Sequence, residues 1–263
     1  MESTLTFATR LAEQVGELLL EHFKRSDKKP QIKPDFSLVT EADLQADKWL
    51  TQEILEARPQ DTLLSEELHH VFPEDTAGAV WVIDPLDGTT NFSLGLAYWG
   101  TSIALVEDGF PTLAVIHFPL LGETYTAQRG LGAAFNGNPI RVKTPDPQDK
   151  GTFFVCCSRT YRSYDVGIRY KTRILGSAAY SFCTVARSMA LIAFEARPKI
   201  WDLAAAWLVV QEAGGTIAAY DDRNPFPLIA GTDYSRVDYP TLAAASAAFM
   251  QKGREQIRPK PGG

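Results

Sequence analysis

Trp81-Val-Ile-Asp84-Pro85-Leu86-Asp87-Gly88-Thr89-Thr90-Asn91-Phe92-Ser93-Leu94 is the stretch on which the fold turns. An apolar run from Ala79 to Ile83 reads as a buried strand and leads straight into two carboxylates spaced three apart. Gly88-Thr89-Thr90 could then open a short helix. Carboxylates at the carboxyl end of a strand can hold hard cations, and backbone N–H groups at a helix start can hold a phosphate. One turn would supply both sites side by side, as metal-assisted phosphate ester hydrolysis requires. The same residues are also good turn chemistry, since Asp bonds its own backbone, Pro fixes φ and Gly permits φ > 0. Further carboxylates at equivalent positions elsewhere would decide between these readings.

Upstream, Leu5, Ala8, Leu11, Ala12, Val15, Leu18, Leu19 and Phe23 recur at helical spacing and predict an amphipathic helix. Residues 24–34 are polar and basic with two prolines, which predicts a loop. Thr40-Glu41-Ala42-Asp43 matches a capping box and starts a second helix that stops near Ala57, before Pro59. Leu63-Leu64 reads as a short strand ending at Ser65-Glu66-Glu67. Downstream, strands are expected at 80–83, 102–106, 112–117 and 124–128, with a hairpin at Asn136-Gly137. Residues 144–150, with two prolines and three charges, predict a boundary between an N-terminal lobe (1–145) and a C-terminal lobe (146–263).

The second lobe alternates α and β. Strands are expected at 152–157, 216–219 and 228–230, and helices at 164–174, 178–189, 203–212 and 240–252, while 192–195 is a short apolar run. Gly214-Gly215 closes the third of these helices. The tail from Arg258 to Gly263 is expected to fray.

At 263 residues the chain can bury one large core or two packed lobes. A formal net charge of −6 argues against a nucleic-acid binder that works through a broad basic face. Three cysteines in no ligand or disulfide spacing predict small buried residues in a reducing compartment. Residues 5–23 are interrupted by Arg10, Glu13, Glu17 and Glu21, which suits neither a signal peptide nor a membrane span, so a cytoplasmic location is expected.

Five acids stand out by position: Asp43 opens a helix, Glu66 follows a strand, Asp84 and Asp87 follow another, and Asp202 opens a helix. Each has an ordinary role open to it, as helix cap, solvated pair or dipole partner. If the fold gathers them, each like-charge pair near 4 Å costs about 4 kcal/mol at an effective dielectric of roughly 20. Such a cluster needs cations, and an all-oxygen ligand set selects Mg²⁺ or Mn²⁺ over Zn²⁺. Gly130-Leu131-Gly132 lacks the third glycine of a dinucleotide fingerprint, and His69-His70 reads as a surface pair.

Two strings carry the reading further. Asp84-Pro85-Leu86-Asp87-Gly88-Thr89-Thr90-Asn91-Phe92, then Trp201-Asp202-Leu203-Ala204-Ala205 with Glu212-Ala213-Gly214-Gly215, closely resemble the two signature motifs of the inositol monophosphatase family. The resemblance runs from about Leu5 to Met250. It implies a layered αβαβα sandwich of the inositol monophosphatase and fructose bisphosphatase type, in the α/β (α+β) class, with the site in a cleft between lobes. It implies a phosphate monoester hydrolase using two or three Mg²⁺ ions, or Mn²⁺, on a small phosphorylated polyol or sugar such as inositol 1-phosphate. Fructose bisphosphate, histidinol phosphate and a 3′-phosphonucleotide are the alternative substrates, and a regulatory protein-binding role on the same fold is the alternative of another class.

By the same resemblance Glu66, Asp84 and the Leu86 carbonyl hold the first metal, and Asp84, Asp87 and Asp202 the second. Asp43 with Thr89 orients the attacking water, and Gly88 and Thr89 N–H groups face the phosphate. Asp87, Ala178, Glu195 and Asp202 contact substrate, and Lys33 falls near a basic residue of the family. A homodimer and lithium sensitivity are also suggested. Ser65, Ser188 and Leu191 depart from the family's usual glycine, glycine and aspartate, and Arg197-Pro198-Lys199 adds positive charge beside the site.

Overall fold

The computed structural model describes residues 2–25, 30–32, 38–72, 74, 78–143 and 151–261. Chain order begins α1 (Thr4–Lys24), β1 (Gln31–Ile32), β2 (Leu38–Val39), α2 (Glu41–Ala57), β3 (Thr62–Ser65), β4 (Val80–Asp87) and α3 (Thr89–Leu94). A meander follows: β5 (Gly100–Glu107), β6 (Phe110–Phe118), β7 (Glu123–Gln128), β8 (Gly132–Phe135) and β9 (Asn138–Ile140). Next come β10 (Phe153–Cys156), α4 (Thr160–Ser163), β11 (Tyr164–Val166), β12 (Lys171–Arg173), α5 (Ala178–Ala186) and β13 (Ala190–Glu195). The chain closes with α6 (Ile200–Glu212), β14 (Thr216–Ala219), β15 (Thr241–Ala244), α7 (Ala247–Gln256) and β16 (Ile257–Pro259).

Strands β3 to β9 form one seven-stranded sheet in sequence order, parallel only at β3–β4. A five-stranded sheet has the order β12-β10-β13-β15-β14. Side chains on β4 alternate across the first sheet, as a strand's two-residue period requires. Trp81 and Ile83 enter a core shared with α1 and α2, whereas Val80 and Val82 enter a core shared with α5 and α6. Helix α1 fits this arrangement because Phe7, Ala8, Leu11, Ala12, Val15 and Leu19 fall on one buried stripe. A third core lies between the smaller sheet and α7. The layers therefore run helices, sheet, helices, sheet, helix, as the αβαβα expectation has it.

Several local expectations fail. Residues 164–174 form β11 and β12 rather than a helix, because Tyr164 and Val166 pair with Pro259 and Ile257. That pairing also orders Arg258, so the tail does not fray as far as Pro259. Residues 241–244 are a strand between β13 and β14, and helix α7 starts only at Ala247. Residues 228–230 form no strand. Within the predicted loop 24–34, Gln31–Ile32 pairs with Leu38–Val39. The expected boundary at 144–150 lies outside the described residues. No helix among the described residues is long and apolar enough to cross a membrane.

Candidate metal centre

Strand β4 continues past Ile83 to Asp87, so both acids belong to the strand rather than to a turn after it. Asp84 pairs with Ser102 and Asp87 with Gly100, which leaves Pro85 and Leu86 opposite the single residue Thr101. This is a β-bulge. Residues three apart on a regular strand point to opposite faces, and the extra residue cancels that alternation. Asp84 keeps the α6 side shared by Val80 and Val82, Leu86 drops into the α1–α2 core, and Asp87 returns to meet the start of α5. The bulge's polar groups find partners: Thr101 Oγ1 donates to the Pro85 carbonyl at 2.9 Å, and Leu86 N–H donates to Asp84 Oδ1 at 2.9 Å.

Parallel register sets Ser65 beside Ile83, so Glu66 emerges level with Asp84. Asp202 arrives from the first turn of α6, whose Trp201 carbonyl accepts Ser102 Oγ–H at 3.3 Å. Carboxylate oxygens of Glu66, Asp84 and Asp202 all lie within 4.8 Å of one another. Burial, then the neighbouring charges of Glu66 and Asp87, hold the Asp84 carboxyl well above the usual carboxylate range. Burial, Asp87 and Glu66 do the same to Asp202. Asp87 is pushed up to about 6, again chiefly by burial. Its oxygens accept from Ser177 Oγ at 2.5 Å and from the Ala179 and Ala178 N–H groups at 2.8 and 3.1 Å. The donor set is oxygen throughout, and among the described residues no cationic side chain is among the groups that shift Asp84, Asp87 and Asp202. Such a cluster fits a hard divalent cation.

Beside the cluster, Thr89 Oγ1 lies 3.0 Å from Asp43 Oδ1 and 3.1 Å from the Leu86 carbonyl. Asp43 Oδ2 accepts from Thr40 N–H at 2.8 Å and from the Thr40 hydroxyl. One oxygen therefore caps α2 while the other turns to Thr89. Burial pushes Asp43 up to about 6, against those hydrogen bonds. Gly88 has φ +95°, and a Cβ there would approach the Tyr98 carbonyl to 2.7 Å, so only glycine fits this entry to α3.

A cavity of about 270 Å³ adjoins the acids, lined in part by Thr90, Ala178, Glu195, Arg197 and Asp202. Burial pushes Glu195, at the end of β13, up to about 8. Fold and site together match known proteins. A sequence model of the inositol monophosphatase family matches residues 1–251.

The chain belongs to the inositol monophosphatase family.

A fructose-1,6-bisphosphatase/inositol-1-monophosphatase of Thermotoga maritima is 33% identical over 228 residues, covering 83% of this chain and 86% of that protein. A histidinol-phosphatase of Chlorobaculum parvum is 35% identical over 237 residues, covering 85% and 88%. A Nus factor SuhB of Xylella fastidiosa is 34% identical over 252 residues, covering 84% and 87%. The solved structure of the Thermotoga maritima IMPase superposes with a TM-score of 0.79 at 29% identity, covering 95% of each chain.

Departures from the family pattern now have structural readings. Ser65 lies in a strand and needs no glycine-like φ; its hydroxyl donates to Asp47 Oδ1 at 3.1 Å. Ser188 has φ +61°, the left-handed region that a glycine there would adopt freely. Leu191 is buried in the core beside the small sheet. Arg197 and Lys199 both engage Asp238, at 2.5 and 3.0 Å, which offsets one of the two positive charges expected beside the site. Lys33 lies outside the described residues. Gly130 and Gly132 N–H groups donate to the Glu212 carboxylate at 2.8 and 2.9 Å, which ties this turn to the end of α6. His70 is no free surface residue: its Nε2 lies 2.6 Å from the Glu66 carbonyl, and its ring packs on Trp201. Two residues the sequence reading passed over are Ser177, which holds Asp87, and Asp47, which holds the residues around Glu66. Asp47 falls one helical turn after Asp43 on the same face, but nothing in its local sequence marks it as buried.

Proposed function

We propose that this chain is a Mg²⁺-dependent phosphate monoester hydrolase acting on a small polyol or sugar phosphate, with inositol 1-phosphate the first candidate. The carrying observation is the convergence of Glu66, Asp84 and Asp202 from three elements, beside the Thr89–Asp43 contact. In this reading residues 1–263 act as one phosphatase domain of two lobes, 1–145 and 146–263, with Asp202 and the substrate pocket brought by the second.

Glu66, Asp84, the Leu86 carbonyl, Asp87 and Asp202 would hold two or three Mg²⁺ ions. When bound, such ions lower the pKa of water and offset the charge of the phosphate. The chain's own groups orient and move protons. Thr89 Oγ passes its proton to Asp43 Oδ1 as it accepts one from the attacking water, and Asp43, poised at about 6, is a base matched to neutral pH. The oxygen forms its bond to phosphorus in line while the ester P–O bond breaks, and the leaving alkoxide takes a proton from solvent water to depart as the alcohol. Gly88 and Thr89 N–H groups steady the phosphate oxygens. Asp87, Asp202 and the Ala178 backbone border the substrate hydroxyls. Glu195, neutral below about 8, donates a hydrogen bond to one of them.

The names of the relatives keep fructose 1,6-bisphosphate and histidinol phosphate as the competing substrates. Phosphate release from these two, inositol 1-phosphate and a 3′-phosphonucleotide, with and without Mg²⁺, tests the reading. We expect Mg²⁺-dependent release, fastest from inositol 1-phosphate. The Nus factor relative favours a second reading, a regulatory protein on the same fold. Silence across the whole panel with Mg²⁺ and Mn²⁺ would favour it.

A further inference from the structure

Asp47 is a fully buried acid on α2 with no place in the chemistry above. Its bonds converge on one short segment. Oδ1 accepts from Ser65 Oγ at 3.1 Å and from Thr51 Oγ1 at 3.2 Å, while Oδ2 accepts from Glu67 N–H at 3.1 Å. Ser65 and Glu67 are the two neighbours of Glu66. Ser65 is itself fixed, with N–H donating to the His69 carbonyl at 2.7 Å and Oγ accepting His69 N–H at 3.2 Å. Glu66 N–H donates to the Ile83 carbonyl at 3.2 Å, immediately before Asp84. The Glu66 carbonyl meets His70 Nε2 at 2.6 Å, and the His70 ring lies 6.0 Å from that of Trp201, immediately before Asp202. The backbone of Glu66 is thus tied to α2, to β4 and to the start of α6.

We propose that Asp47, acting through Ser65 and Glu67, is a positioning residue that fixes the Glu66 carboxylate against Asp84 and Asp202 and thereby sets the cleft's affinity for its divalent cation. The inference rests on the reading of Glu66 as a metal ligand. A carboxylate ligand contributes fully to affinity only when its orientation is set before the ion arrives, and outer partners supply that setting. Burying Asp47 beneath this turn is costly unless its oxygens are hydrogen-bonded, and two of its three donors flank Glu66. Ser65 is integral to the device: a glycine at that position would leave Asp47 Oδ1 with only the Thr51 hydroxyl, which lies away from Glu66.

The test is Mn²⁺ binding to metal-stripped full-length protein, measured by calorimetry without any substrate. Asp47→Asn keeps the side chain's size but cannot accept hydrogen bonds on both atoms. We expect it to weaken Mn²⁺ binding by about 10-fold, the lower end of what losing an outer partner costs. Half-saturating Mg²⁺ for phosphate release should rise in parallel, while kcat at saturating Mg²⁺ stays within about twofold, because the saturated site regains its geometry. Ser65→Ala should act in the same direction and more weakly, and Asp47→Glu should recover part of the affinity. A fall in thermal stability with unchanged Mn²⁺ affinity in Asp47→Asn would reduce the residue to a structural role and overturn the proposal. Should that variant fail to fold, unchanged affinity in Ser65→Ala overturns it equally. Glu66→Gln separates the two levels. If it weakens Mn²⁺ binding and the Asp47 and Ser65 variants do not, only the positioning role is lost; if it leaves binding unchanged, the ligand assignment falls and the positioning role with it.

Discussion

The two ends of α5 each meet carboxylates, and they meet them in opposite ways. At its C-terminal end Arg187 pairs with Glu123 at 2.9 Å, with the guanidinium 3.8 Å from the centre of the Phe135 ring. At its N-terminal end Ser177, Ala178 and Ala179 offer only neutral donors to Asp87, whose charged neighbours are further acids. The chain can evidently supply a cation to a shielded carboxylate, since it does so one helix-length away. Among the described residues no cationic side chain is seen beside Asp84, Asp87 and Asp202, so the N-terminal end is the one suited to a charge from outside, since buried charge is costly without a counter-charge. The C-terminal end is self-sufficient.

The sharpest way to break this contrast is Asp84→Asn. We expect Mg²⁺-dependent phosphate release to fall on the order of 10³-fold, comparable to losing a principal electrostatic contact. The same substitution should raise the melting temperature in EDTA at pH 7.5, since one member of a repelling set becomes neutral. Near-full activity would refute the ligand role.

The next effect is in pH. Asp43 and Asp87 have folded pKa values of about 6, above their ordinary value. The folded protein therefore binds their protons more tightly than the unfolded chain. That contribution is complete below the ordinary carboxylate range and is lost as pH rises through about 6. Metal-free protein should lose on the order of 3 kcal/mol per group across this window. Bound Mg²⁺ opposes the loss, so the gap in melting temperature between Mg²⁺ and EDTA samples should widen from pH 4 to pH 7. A constant gap would contradict the picture of acids awaiting a counter-charge.

Smallest is the effect of Arg187→Met at the self-sufficient end. Stranding Glu123 should cost about 2 kcal/mol of stability, a discount on a fully buried pair because both partners keep some solvent contact. Mn²⁺ affinity measured calorimetrically should not move. A shift there would mean that the two ends of α5 are coupled.

The sequence resolved the cleft better than it resolved the rest of the fold, for physical reasons. Asp43, Glu66 and Asp202 were legible as candidates because each sits at the end of an element, and Asp84 because the apolar run stops there and a carboxylate follows. The bulge between Asp84 and Asp87 was not, because turn chemistry and a bulged strand use the same Asp-Pro letters. Thr241–Ala244 read as helix because Leu and Ala are strong helix formers, yet pairing with both β13 and β14 overrode that propensity. Tyr164–Val166 was lost to the same cause, a partner strand nearly a hundred residues away. Asp47 escaped because nothing local distinguishes a buried acid from a solvated one on a helix.

The bulge also bears on how this protein tolerates change. Of the oxygens that the proposed function would give to the metals, that of Leu86 belongs to the main chain, which no point substitution can delete. Its side chain, meanwhile, is packed among the residues of α1 and α2. A saturation scan would therefore score position 86 as a hydrophobic packing site and give no sign of an electrostatic duty. That contribution is inherited with the path of the strand, not with the identity of the residue.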